Sequence, residues 1–433
     1  MKKKQGYMVW ALALLGLVCT MGCGQKQGPQ TIVVTTFNND LTLSKITTDE
    51  IAEIEKRNPG LNIKLEIIPY SDYQQKISTE MAAGNMPDVI NVEVSNFVDL
   101  YLRGAFQDLK PYIEASNVNL KDYYPGVLER FSRDGQILVM PQDTAPTGLM
   151  YYNKKIFKEA KVPFPTSKWS WPEPFVSICK KLTKKNAQGK TIRWAYSEAY
   201  PIQFENFMYS NGGNYVDDTA NPKKLTMDDP KVVEAVRFRY DLIYKYHVSP
   251  SPTEFQSFSA GAGVEEMFMN GAIAMMCSGI WHTPKFLQDK GLDFDVVEFP
   301  SGPTGLKGWG TGGSGFAMTK ACKNKDLAWK VIQELTSAHI LAQLSATGEI
   351  QPALISMANS DAFLKSPGPA HKSILLSMPQ YTHYQPFTSS WQEILYGTMG
   401  PAMDPVWSGS KTPEEVLPEL TDTINKKFFT QKQ

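Results

Sequence analysis

The chain has 433 residues and no formal net charge, with 42% hydrophobic and 20% charged residues, the make-up of an ordinary soluble globular protein. Its length exceeds the ~250–300 residues at which one hydrophobic core stops growing, so two domains are expected. The balanced charge offers no basic excess to hold nucleic acid.

Lys2-Lys3-Lys4 stand before an apolar stretch over residues 8–21, and Gly22-Cys23 follow. A positive start, a short apolar core and a small residue ahead of a cysteine form the layout of a bacterial secretory signal. About fourteen apolar residues are too few to span a ~30 Å hydrocarbon core, so cleavage is expected rather than a retained membrane helix. The segment resembles lipoprotein signals, in which the cysteine is lipidated and becomes the new N-terminus. That resemblance implies a signal peptide over 1–22, lipidation at Cys23 and an extracytoplasmic chain held to the membrane by lipid. Cys19, behind the bulky Val18, is read as an ordinary residue of the apolar stretch. Loss of 1–22 removes three lysines and no acid and leaves a formal charge of −3. Residues 23–30, polar past the cysteine, are expected to act as a tether. Cys179, Cys277 and Cys322 are too few and too scattered for a disulfide framework, and the first two sit in apolar surroundings as small buried hydrophobes.

Thr31-Ile32-Val33-Val34-Thr35-Thr36 is β-branched throughout and reads as a buried strand. The capping-box pattern Thr47-Thr48-Asp49-Glu50 predicts a helix start, and Pro59-Gly60 its stop. A strand over 62–68, a helix over 71–83 opened by Ser71 and Gln74, a strand over 89–92 and a helix over 96–103 follow. Alternation at this spacing predicts an α/β lobe with a mostly parallel sheet and helices on both faces. The runs 136–141 and 149–152 then flank Gln142-Asp143-Thr144 and suggest a hairpin-like change of direction. Helices are expected over 172–184, 204–210 and 230–247, the last capped by Asp229 with Pro230 in its first turn. Thr412-Pro413-Glu414-Glu415 opens another. No internal repeat is visible.

Four segments carry a family resemblance: Met81-Ala82-Ala83-Gly84-Asn85-Met86-Pro87-Asp88-Val89 with Gly104-Ala105-Phe106; Gly148-Leu149-Met150-Tyr151-Tyr152-Asn153-Lys154 with Trp171-Pro172; Met267 to Met276 with Gly279-Ile280-Trp281; and Gly312-Gly313-Ser314-Gly315-Phe316 with Gly348-Glu349-Ile350-Gln351-Pro352. In order and spacing they resemble the extracellular solute-binding proteins of ABC importers, the family that includes maltose- and other sugar-binding proteins. The resemblance implies a two-lobed periplasmic-binding-protein-like fold, each lobe a mostly parallel sheet with helices on both faces and the ligand cleft between them, with lobe one over 31–141 plus 293–338 and lobe two over 142–292 plus 339–433. It also implies a monomer that holds a small solute, a carbohydrate above all, in the cleft and delivers it to membrane permease subunits, with no cofactor.

Ligands of such sheets lie beyond the carboxyl ends of strands, which points to Asn38 and Asn39 after the first strand and Glu93 after the third. Amides and carboxylates there replace water around hydroxyls; loop solvation and helix capping are the plain alternatives. Asp143 and Thr144 lie at the expected crossing between lobes, where a solvent-facing turn is the alternative. Trp281 is the first choice for a flat aromatic face against a sugar ring, against simple packing between lobes. Trp309, Gly312 and Gly313 precede a strand and bring backbone amides close to a solute. Tyr200, followed by Gln203 and Glu205, falls where maltose-binding relatives supply contacts. Gly308 to Gly313 also fits G-x-G-x-x-G, but leads into a strand rather than a helix, which rules out a dinucleotide fingerprint. The five histidines make no helix-borne metal pair, and no nucleophile elbow or phosphate-binding loop is present. A binding protein rather than an enzyme is expected, with a secreted glycoside-processing enzyme as the alternative.

Overall fold

The computed structural model describes residues 30–37, 41–259 and 262–430. The signal peptide, Cys23, and the candidate residues Asn38 and Asn39 lie outside the described residues. Among those described, no helix is long and apolar enough to cross a membrane.

Strand and helix alternate at the start of the chain. Strand Gln30–Phe37 leads to helix Leu41–Arg57, strand Leu61–Ile68, helix Tyr70–Ala82, strand Val89–Glu93 and helix Val94–Leu102. Two expected helix starts are displaced. Helix Leu41–Arg57 is already formed at Thr47, and the Thr48 hydroxyl donates to the Ser44 carbonyl within the helix instead of capping it. Ser71 likewise lies inside its helix, where its hydroxyl donates to Asp72, and Pro69 takes the cap position. Burial of Leu43 together with Ile51 and Ile54 carries the first helix back past the cap-like residues.

The first sheet has the order Leu61–Ile68, Gln30–Phe37, Val89–Glu93, Ser314–Met318, Met140–Pro141. The first three strands are parallel, while Ser314–Met318 runs against both of its neighbours. One face packs on Ile32, Val34, Val89 and Phe316, the other on Ile90, Val92, Phe97 and Ala317, so the centre of the sheet is covered on both sides, while the edge strand Leu61–Ile68 alternates apolar residues with Asn62, Lys64 and Glu66. The second sheet has the order Phe294–Glu298, Leu149–Asn153, Ile273–Ser278, Thr191–Glu198, Lys184–Lys185. The expectation of a mostly parallel sheet is corrected here: Thr191–Glu198 and Ile273–Ser278 are parallel, but Leu149–Asn153 runs against Ile273–Ser278 and Phe294–Glu298, and Lys184–Lys185 runs against Thr191–Glu198. Its core includes Tyr151, Trp171, Phe207 and the helix Pro230–Tyr244. The Asp229 carboxylate accepts from the Lys231 N–H at 2.9 Å, which caps that helix as expected. Cys179, Cys277 and Cys322 are buried and unpaired.

A third, small sheet joins the two lobes in the order Gln351–Pro352, Asp143–Pro146, Trp309–Gly312, Thr382–His383. The chain leaves the first sheet at Met140–Pro141, crosses through Asp143–Pro146 and enters the second at Leu149–Asn153. It returns through Trp309–Gly312, antiparallel to the outgoing strand, and Gln351–Pro352 later adds a strand beside Asp143–Pro146. Two expectations are corrected by this path. Residues 136–152 form no hairpin: Gln136–Ile137 pairs with Ser132–Arg133, and the two longer flanking runs belong to different sheets, because each is apolar enough to be buried in its own lobe. The lobe boundaries also move. Phe294–Glu298 pairs within the second sheet, Ile340, Leu344 and Ala353 pack in the first core, and Leu354 and Ser356 still bond to Tyr123 and Asp122 of lobe one, so the chain enters lobe one at 309–312 and leaves it past Ser356 rather than at 293 and 338.

Candidate functional site

The carboxyl ends of the parallel strands of both sheets face one gap, beside the crossing strands. On the first lobe, strand Val89–Glu93 ends in a half-buried carboxyl group. Glu93 Oε2 accepts from the Tyr70 hydroxyl and from the Ser95 hydroxyl, both at 2.8 Å. Burial raises the Glu93 pKa, and these two donors oppose that rise. Tyr70 itself follows the exit of strand Leu61–Ile68 and is steadied by the Phe37 ring, edge-on at 5.3 Å.

On the second lobe, strand Thr191–Glu198 runs out to Tyr200, and strand Ile273–Ser278 runs out to Gly279-Ile280-Trp281. The Trp281 indole N–H donates to the Tyr200 hydroxyl at 3.3 Å, with ring centroids 6.3 Å apart. A Cβ at Gly279 would come within 1.8 Å of the Trp281 ring, so glycine is what lets this indole fold over its own backbone. His282, next in sequence, is buried and stacks on Phe286 at 5.8 Å; burial lowers its pKa to about 4 and keeps it neutral.

The two sides sense each other. Burial raises the Tyr70 pKa, and Glu93, Tyr396 and Tyr200 add to the rise. Tyr396 lies on the π-helical stretch Glu393–Met399, a wide-turn geometry that recurs at functional sites. Tyr70, Tyr200 and Tyr396 remain 48%, 44% and 61% exposed. Large aromatic faces left open on both sides of a gap offer stacking area to a guest. Gln392, just before Tyr396, donates to the Ser95 carbonyl at 3.0 Å and ties the C-terminal region to the first lobe.

Below this gap, Arg130 braces the crossing strands. Arg130 is 7% exposed, and its guanidinium donates to the Gly312 carbonyl at 2.7 Å and to the Asp143 carbonyl at 2.9 Å. The Asp143 carboxylate accepts from the Ser314 N–H at 2.6 Å and from its hydroxyl at 2.9 Å. Burial raises the Asp143 pKa while Arg130 and the Ser314 donors lower it. Gly313 takes φ +112°, and a Cβ there would meet Arg130 at 2.6 Å, so both conformation and space require glycine.

Glu205 is a further buried carboxyl, on helix Glu205–Ser210. It accepts from the Tyr215 hydroxyl at 3.2 Å, and a Cβ at Gly310 would come within 1.8 Å of its Oε1. Burial pushes its pKa up to about 8, so it is held neutral at pH 7. A raised native pKa means that the folded state keeps a proton that the unfolded chain releases above its ordinary value of 4.5. The stabilisation is therefore whole below about pH 4.5 and is lost as pH rises to about 8. Glu205→Gln, neutral at every pH, is expected to flatten this decline and to melt higher than the parent at pH 8. Melting curves from pH 5 to 9 check this, and parallel curves for the two proteins would contradict it.

The structure thus brings Glu93, Tyr200 and Trp281 together at facing strand exits, and it sets Asp143, Gly312 and Gly313 in the crossing strands beneath them. Two expected contacts are corrected. Trp309 is fully buried, with its indole N–H donated to the Met378 carbonyl at 3.1 Å and Tyr381 edge-on at 5.4 Å; it is a core residue under the crossing strands. Thr144 is 1% exposed, so its hydroxyl is closed off from the gap. Sequence reasoning missed Tyr70, Tyr396 and Arg130. Tyr70 follows from the same strand-exit rule applied to the second strand, whereas no local signal marks Tyr396. Among the described residues, no group of three or more His, Cys, Asp or Glu is placed to hold a metal ion.

Residues 39–339 match the family described as bacterial extracellular solute-binding protein, and the chain belongs to that family. A binding protein of Brucella abortus is 25% identical over 387 residues, covering 86% of this chain and 88% of the relative. The arabinooligosaccharide-binding protein of Halalkalibacterium halodurans is 25% identical over 292 residues, covering 65% of this chain and 62% of the relative. Among solved structures, the ABC substrate-binding protein of Listeria monocytogenes in complex with cycloalternan superposes with a TM-score of 0.79 at 24% identity, over 92% of this chain and 98% of that one. The fold is the two-lobed, periplasmic-binding-protein-like α/β architecture.

Proposed function

We propose that this protein is the extracellular solute-binding component of an ABC importer, capturing a carbohydrate between its lobes and handing it unchanged to membrane permease subunits. The observation that carries the reading is the facing pair of strand exits, with Tyr70 and Glu93 on one lobe and Tyr200 and Trp281 on the other. Aromatic faces suit the C–H side of a sugar ring, and hydroxyl and carboxyl groups suit its rim. Family membership and a relative named for arabinooligosaccharide binding support it. In this reading the small-sheet strands at 143–146, 309–312 and 351–352 form the hinge between lobe one and lobe two. A sugar that touches both lobes shifts the population toward closure by its extra affinity for the closed form. Cys23 carries the lipid that holds the monomer outside the cytoplasmic membrane, and the protein performs no catalysis.

The test is a melting screen against maltose, maltotriose, arabino-oligosaccharides and polyols, followed by chromatography of the recovered sugar. A sugar at 100 times its Kd adds about 2.7 kcal/mol of stability, which a melting curve resolves. Stabilisation with the sugar recovered intact supports the reading. Cleavage products would instead identify a glycoside-processing enzyme, and no response to any sugar would remove carbohydrate as the cargo.

A further inference from the structure

The charge around the gap is one-sided. Every charged group felt by the three open tyrosine rings is a carboxyl: Glu93 by Tyr70, Tyr200 and Tyr396, Glu205 by Tyr396, and Glu265 by Tyr200. Glu265 has Lys285 at 3.7 Å, itself held by Glu266 at 2.6 Å. Arg130 reaches Asp143 and Glu93, but its guanidinium is committed to two carbonyls of the crossing strands. No cation reaches Glu205, whose burial is opposed by the Tyr215 hydroxyl alone. Glu93 and Glu205 are also only half engaged. Tyr70 and Ser95 both donate to Oε2 of Glu93 and Tyr215 donates to Oε2 of Glu205, while Oε1 of each takes no hydrogen bond among the described residues. Glu205, 9% exposed, holds that free oxygen against Gly310 of the crossing strand.

A buried carboxyl without a cation keeps its proton, and the arrival of a cation favours its ionised form. Open aromatic faces attract the same sign of charge. We infer that the captured sugar carries a positive charge: it is an amino sugar, with its ammonium group among the Tyr70, Tyr200 and Tyr396 rings and with Glu93 and Glu205 as its counter-ions. The inference rests on the carbohydrate reading above and adds a charge to it. A neutral sugar uses the same oxygens as plain hydrogen-bond partners and binds more weakly, and a uronate meets groups of its own sign. Binding of the cation ionises Glu205, which holds its proton up to about pH 8, so a proton is released and affinity for the charged sugar rises with pH. The titratable groups facing Glu205 are Tyr209, Tyr215, Tyr396 and Cys277, and burial raises the pKa of all four, which keeps them protonated. His383, stacked on Tyr209 at 4.2 Å, has its pKa lowered by burial, which favours its neutral form.

Calorimetric titration compares pairs that differ only by an amine in place of a hydroxyl: glucosamine with glucose, galactosamine with galactose, and the chitosan disaccharide with cellobiose. Glucuronate and galacturonate supply the opposite charge. In whichever pair binds, the amino sugar is expected to bind at least about tenfold tighter at pH 7, and the uronates are expected not to bind. Between pH 6 and pH 7, where the sugar amine stays largely charged, amino-sugar affinity is expected to rise by up to about tenfold, as release of one proton requires, while neutral-sugar affinity stays level. Glu205→Gln keeps the shape of the side chain and cannot ionise, so it is expected to remove the pH rise and most of the amino-sugar advantage; Glu93→Gln is expected to reduce the same advantage. A neutral sugar or a uronate that binds as tightly as its amino counterpart, or an advantage that survives both variants, would overturn the inference and leave the carbohydrate reading standing. Failure of every sugar, charged or neutral, to bind the parent would overturn both.

Discussion

Replacing Trp281 by alanine is expected to weaken sugar binding at least about tenfold, a loss of roughly 1.4 kcal/mol or more, while the empty protein keeps its fold. The indole is partly exposed and stands over Gly279 at the end of a fully buried strand, so its position is fixed by the sheet rather than by packing around its own ring. Removing it takes away a preformed apolar face and the N–H that orients the Tyr200 hydroxyl. Tryptophan at the centre of a binding surface commonly dominates the energetics because it buries a large rigid area for little entropy. The empty protein is expected to stay folded, since the half-buried ring contacts Tyr200 and His282 at the rim of the lobe rather than within its packed core, for a cost of about 1 kcal/mol. Calorimetry with the tightest-binding sugar, beside a urea melt of the empty variant, checks both halves. Unchanged affinity would remove Trp281 from the site, and a collapsed melt would make it a structural residue.

Arg130→Ala is expected to act the opposite way, on the frame before the guest. The guanidinium fork joins the Gly312 and Asp143 carbonyls, one on each of the two antiparallel crossing strands. Hydrogen bonds to a charged donor contribute about 1.5–3 kcal/mol each, and their loss leaves two carbonyls of the crossing strands without this donor. A destabilisation of about 3 kcal/mol follows, large against the ~5–15 kcal/mol of a typical domain. Arg130→Lys is expected to recover only part of it, because a single ammonium cannot reproduce a planar fork that addresses two acceptors. Urea denaturation of both variants measures this; a shift below about 1 kcal/mol for Arg130→Ala would show that the strands hold without the brace.

The fold was legible where local signals and burial agree. The β-branched run at 31–36 made its strand, the Asp229 cap and Pro230 opened their helix, and the Thr412–Glu415 box formed with a 2.7 Å return bond. It was misread where a pattern serves two architectures. Apolar runs either side of Gln142-Asp143-Thr144 fit a hairpin as well as a crossing, and only pairing with distant strands at 309–318 separates them. The cap-like Thr47 failed because the buried Leu43 before it extended the helix, and Ser71 missed by one residue because Pro69 takes the cap position.

The candidate site shows the same division. The strand-exit rule reached Glu93, Tyr200 and Trp281, because strand ends are local and the sheet brings them together. Tyr396 was invisible, since its place beside Glu93 and Glu205 depends on how a distant C-terminal segment folds back. Trp309 was misplaced for a related reason: the glycines around it suit close backbone approach to a solute, and they equally suit its own ring, which packs where a Cβ at Gly148 would stand.

The central claim is that a sugar sits between the lobes and touches both. A crystal structure with the sugar that raises the melting temperature most tests it directly. The account expects density in the gap, within hydrogen-bonding or stacking distance of Tyr70 or Glu93 on one lobe and of Tyr200 or Trp281 on the other. Sugar bound outside the gap, or held by one lobe alone, would contradict it.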